Sequence, residues 1–114
     1  MDKESLMVAG IDVEDALRRF MGNENLLKRM LSKFINDTTI NDLRKGIEAN
    51  DHELMFRSAH TLKGIAGNLS LSKLYQVTSS QTELFRAGKD EEGILMMSQV
   101  EEAYKSAVDA INSI

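Results

Sequence analysis

Cysteine, proline and tryptophan are all missing from this chain of 114 residues. Without cysteine there are no disulfides, no thiolate metal ligands and no cysteine nucleophile, a usage that suits a reducing, cytoplasmic setting. Without proline no helix interior loses a backbone donor, and the composition leans all-α. Aromatic residues amount to only 5% and the formal charge is −4. Nucleic-acid binding calls for stacking platforms and a basic stripe, so no nucleic-acid partner is expected. No apolar run approaches the roughly 18 residues of a membrane span. The opening Met1–Met7 stretch has no long apolar run either, so neither a signal peptide nor a membrane contact is expected.

What the chain does have is helical periodicity. Apolar residues make up 42% and charged residues 28%, an ordinary balance for one globular domain with one core. Residues 1–10 read as an N-terminal tail and residues 11–114 as the domain. Asp12 caps a short helix through Ala16, Leu17 and Phe20, and Gly22-Asn23 ends it. Leu26, Leu27, Met30, Leu31, Phe34 and Ile35 follow at helical spacing, and Asn36-Asp37-Thr38 marks a kink or break. Ile40, Leu43 and Ile47 continue to Asn50-Asp51, and Asp51 caps a helix to about Leu69. After Ser70-Leu71-Ser72, a helix carries Leu74, Val77, Gln81, Leu84 and Phe85 to Gly88-Lys89-Asp90. A last helix is expected from Glu91 onward, with Leu95, Met96, Val100, Ala103, Tyr104, Ala107, Val108 and Ile111 on its pattern. Short connections force antiparallel neighbours, so the expected fold is an all-α, antiparallel up-down four-helix bundle with a short N-terminal lid helix. The seven methionines are expected to fill gaps in the core.

The helix around His60 has two faces. At about 100° per residue, Leu62, Leu69, Met55 and Ala66 gather roughly 180–240° from His60, flanked by Ser58 and Ile65. Gly67 and Gly64 lie about 20° and 40° to either side of His60, with Lys63 and Phe56 on the same outer face. A glycine inside a helix costs roughly 1 kcal/mol relative to alanine. Two on an exposed face add no core packing and lower the surface for an approaching backbone. A neutral imidazole is a nucleophile near neutral pH, and an ammonium one turn away can neutralise a phosphoryl group attached to it.

The run Ala59-His60-Thr61-Leu62-Lys63-Gly64-Ile65-Ala66-Gly67-Asn68-Leu69 resembles the signature of histidine-containing phosphotransfer (HPt) domains of bacterial two-component phosphorelays. The resemblance extends through Ile11-Asp12, Ala16–Gly22, Leu26-Leu27, Phe34 and Ala49-Asn50-Asp51. It implies that His60 is phosphorylated through Nε2, that Lys63 stabilises the phosphoryl group, and that Gly64 leaves room for the partner. It implies docking around Gly67 and Phe56, with Arg86 as a basic residue near the site. Gln81 or Thr82 would hydrogen-bond the active histidine. Phe20 and Met21 are further candidates for apolar docking. The expected partners are receiver domains and a hybrid sensor histidine kinase, the chain itself being monomeric. Ser70 stands where the family has glycine, which implies a looser helix end.

The expected activity is therefore that of a phosphoryl carrier with no cofactor and no ATP site of its own, the receiver bringing the metal and most of the catalysis. The alternatives are a helical interaction module that is never phosphorylated and the phospho-accepting domain of a chemotaxis-type kinase. His52, the other histidine, lies about 80° around the helix from His60, which is poor geometry for a shared metal. No metal site is expected.

Overall fold

Eight helices and no strand form the computed structural model, which describes all of residues 1–114. They are α1 (Lys3–Val8), α2 (Val13–Arg19), α3 (Glu24–Ile35), α4 (Thr39–Glu48), α5 (His52–Asn68), α6 (Ser72–Arg86), α7 (Asp90–Leu95) and α8 (Met97–Asn112). Side-chain caps fix several starts. The carboxylate of Asp12, the amide oxygen of Asn23 and the carboxylate of Asp51 accept from the backbone N–H three residues on, at 3.0, 3.0 and 3.2 Å. Each satisfies a donor that the first helical turn leaves open. Between α3 and α4 the break is complete, and Asp37 accepts from the Thr39 N–H at 2.9 Å.

The bundle closes as a ring. α4 packs on α5, α5 on α6, α6 on α8, and α8 on α3, so α3 and α4 in succession form one wall. The result is a rod of 40 × 21 × 20 Å. Its core takes Leu27, Leu31 and Phe34 from α3, Ile40 and Leu43 from α4, and Met55, Leu62 and Ala66 from α5. Leu74 and Phe85 come from α6, and Val100, Ala107 and Ile111 from α8. Each large side chain removed from water contributes about 1.5–3 kcal/mol, the main term holding the helices together. Gly46 lets α4 approach α5 closely, since a Cβ there would lie 2.9 Å from the Met55 nitrogen.

The N-terminal segment covers the α5–α6 end of the rod. The Lys73 N–H donates to the Gly10 carbonyl at 3.0 Å and the Asp12 N–H to the Ser70 carbonyl at 2.9 Å. Residues 1–10 are therefore not a plain tail. Leu6 of α1 is fully buried, and α1 packs on α8. Of the apolar run Leu6-Met7-Val8-Ala9, Leu6 is the side chain that enters the core, and it folds the segment back onto the bundle.

The expected single last helix is divided in two at Met96. Gly93 lies under the Phe85 ring, and its carbonyl accepts from the Gln81 side-chain amide at 3.1 Å. The Met96 N–H then closes a tighter turn onto the same carbonyl at 3.2 Å. The register shifts, and Leu95 is left 77% exposed instead of joining the core. The methionines also depart from expectation. Met55 is in the core, but Met7 and Met21 are exposed. No helix is long and apolar enough to cross a membrane.

Candidate functional site

The face of α5 opposite the core carries His60. Met55, Ser58, Ala59, Leu62 and Ala66 are buried beneath it, while His60 is exposed. Ser58 satisfies its hydroxyl on the Leu54 carbonyl, so it belongs to the core side and does not reach His60. Lys63, one turn on, is half-buried and its ammonium forms no ion pair with any carboxylate. An exposed imidazole and an uncommitted cation thus share one strip of the helix.

The two glycines of this strip differ. A Cβ on Gly64 would meet nothing within 4 Å, so the space above it is open. A Cβ on Gly67 would lie 3.1 Å from the Tyr75 ring of α6. Gly67 therefore does pack within the molecule, contrary to the expectation that neither glycine does, because α6 leans an aromatic ring against it. It still borders the open groove beside Lys63 and Gly64, together with Asp15, Arg19, Ser70 and Tyr75.

On the other flank of His60 is a separate hollow, lined by Glu53, Phe56, Arg57, His60 and Arg86. Phe56 is half-buried, its ring centroid 6.1 Å from that of His60. The Arg86 guanidinium lies over the Phe56 ring at 5.1 Å and pairs with Glu83 at 3.3 Å. Arg86 and Phe56 are thus brought to His60, and Arg57 is a second cation there that the sequence pattern did not single out. Its position three residues before His60 could have flagged it.

Gln81 and Thr82 are not brought to the site. Both are fully buried in α6. Gln81 is turned toward α7, with its amide on the Gly93 carbonyl and 3.6 Å from the Met97 sulfur. The Thr82 hydroxyl donates to the Thr78 carbonyl of its own helix at 2.7 Å. Neither offers surface to a partner, and neither hydrogen-bonds His60. The reason is register: they lie on the buried face of α6 with Leu74, Thr78 and Phe85, while Arg86, about 100° round from Phe85, falls outside that face. Met21 is 94% exposed on the α2–α3 turn, and Phe20 is half-buried.

Beside the groove, the turn after α5 is closed firmly. Ser70 adopts φ 56°, with its N–H on the Gly67 carbonyl and the Leu71 N–H on the Ala66 carbonyl at 2.9 Å. A left-handed residue with a Cβ costs about 1 kcal/mol where glycine costs none. Ser70 offsets this through its hydroxyl, which donates to Asp15 Oδ2 at 2.6 Å. The expected loosening is absent. That hydrogen bond, and then Arg19 at 2.9 Å, hold the Asp15 carboxyl down to about 2. The Nδ1 of His52 lies 2.8 Å from Asp90. No group of three or more His, Cys, Asp or Glu side chains gathers anywhere as a metal site.

The family described as the Hpt domain matches residues 29–113, a span that includes His60, Lys63, Gly64 and Arg86. No curated protein and no solved structure matches the chain.

Proposed function

The chain belongs to the Hpt domain family, phosphocarrier modules of histidine phosphotransfer in phosphorelays, and on that footing we propose that His60 is the residue that accepts and donates the phosphoryl group. The observation that carries this is the placement of an exposed imidazole beside an unpaired ammonium and the open space above Gly64. The proposed donor and acceptor are receiver-domain aspartates, fed by a hybrid sensor kinase. His60 Nε2 attacks the phosphorus of the aspartyl phosphate in line. The N–P bond forms as the O–P bond breaks, and the electron pair leaves with the carboxylate oxygen. The reverse step discharges His60 onto the next aspartate. Lys63 faces the charge that builds on the phosphoryl oxygens.

The role asks little of the carrier beyond presentation. The nucleophile stands on a rigid helix, so the partner meets it in one geometry. Incubation with a receiver phosphorylated on its aspartate tests the proposal. Wild type is expected to gain acid-labile, base-stable phosphate and His60→Gln to gain none. A wild-type chain that stays unphosphorylated, or a glutamine variant that takes up as much, removes His60 from the role.

A further inference from the structure

Three rings run up the outer face of α5 at one-turn intervals. His52 and Phe56 are stacked, with planes within 5° and centroids 6.5 Å apart. Phe56 and His60 are tilted by 40° at 6.1 Å. The foot of the column is tied to another helix. His52 Nδ1 lies 2.8 and 3.1 Å from the two Asp90 oxygens at the start of α7. A carboxylate only accepts, so the imidazole proton sits on Nδ1. At the same time Arg86 of α6 lays its guanidinium on the Phe56 ring.

The His60 side chain forms no hydrogen bond or ion pair within the protein, so nothing polar fixes its ring. An exposed histidine would otherwise sample several staggered rotamers. Phe56 occupies the space one turn below and restricts that choice, while its face holds the nearest cation of α6 in the same hollow. We infer that Phe56 is a positioning residue for His60 and Arg86, and that the His52–Asp90 bond in turn fixes Phe56.

The inference rests on His60 being the phosphoryl acceptor, and the test separates the two. Phe56→Leu, Phe56→Tyr and His52→Ala are compared with wild type in the full chain, using a phosphorylated receiver and, separately, phosphoramidate as a small donor. Phe56→Leu and His52→Ala are expected to lower the limiting rate about two- to fivefold, the factor set by one exposed cation–π or ring contact. The receiver concentration at half-saturation stays the same. Phosphoramidate, which has no docking surface, shows the same loss. Phe56→Tyr keeps the ring and restores the rate. The His60 ring-proton resonances move in His52→Ala even though the two side chains do not touch. Unchanged rates and resonances in both variants overturn the inference, as does a loss seen with the receiver but not with phosphoramidate, which makes Phe56 a docking contact only. Phosphorylation of His60→Gln at the wild-type rate overturns the acceptor assignment instead.

Discussion

Gly64 and Gly67 lie on one strip of α5, yet a methyl group on the first would meet no atom within 4 Å and on the second would press on the Tyr75 ring at 3.1 Å. The open position is therefore a cost to the helix that nothing inside the molecule requires. Gly64→Ala is expected to stabilise the protein by about 1 kcal/mol, raising Tm by about 4 °C. Gly64→Gln keeps the helix stable but fills the docking space, so receiver-driven phosphorylation falls while Tm does not. Thermal denaturation beside a transfer assay checks both. Gly67→Ala gains less, because Tyr75 must shift.

Lys63 has no carboxylate partner, so its removal leaves no buried charge unpaired. Lys63→Met is expected to keep Tm and to slow phosphotransfer about tenfold, the equivalent of one charge-assisted hydrogen bond lost in the transition state. Single-turnover transfer kinetics measure it, and an unchanged rate would remove Lys63 from the site.

Acid loosens the Asp15–Ser70 clip. The Ser70 hydroxyl, and then Arg19, hold the folded carboxyl at about 2 against an ordinary 3.8. A carboxyl lowered by folding stabilises the native state above its unfolded pKa, and that contribution fades as pH falls from 3.8 toward 2. Asp15→Asn is expected to flatten the stability–pH curve in that window. Ser70→Ala is expected to move the Asp15 carboxyl back toward its ordinary value, read by NMR titration. Denaturant unfolding across the same pH range shows whether the slope tracks Asp15.

Gln81 and Thr82 face the core, which separates fold from function at these positions. Thr82→Val replaces a hydroxyl that bonds only its own helix, and a change below about 1 kcal/mol is expected. Gln81→Ala empties a buried site and leaves the Gly93 carbonyl without its side-chain donor, for a loss of about 2–3 kcal/mol. Transfer rates of the folded variants remain at wild type. A transfer defect in Thr82→Val at unchanged stability would return α6 to the site.

Much of the architecture is written in local signals. Asp12 and Asp51 cap the helices that their sequence positions announce, and the α5 core face follows its apolar spacing. The helix wheel also places His60, Lys63 and Gly64 together, since they share one helix. What the sequence did not reveal depends on contacts between helices. α1 is ordered by a single leucine reaching the core, and the break at Met96 follows from Phe85 and Gln81 reaching Gly93. The site divides along the same line. The sequence resemblance placed Arg86 near the site, but its seat on Phe56 and the diversion of Gln81 and Thr82 required the rotation of α6 about its axis, which local spacing does not contain.

His60 stands between two hollows, not at the bottom of one. A nucleophile on a crest has two flanks built from different residues: Phe56, Arg57 and Arg86 on one, Arg19, Lys63 and Gly64 on the other. Substitutions on one flank leave the other intact. Substitution of Arg57 on one flank or Arg19 on the other is therefore expected to alter a partner's approach from that side alone, whereas Phe56 cannot change without disturbing the His60 ring.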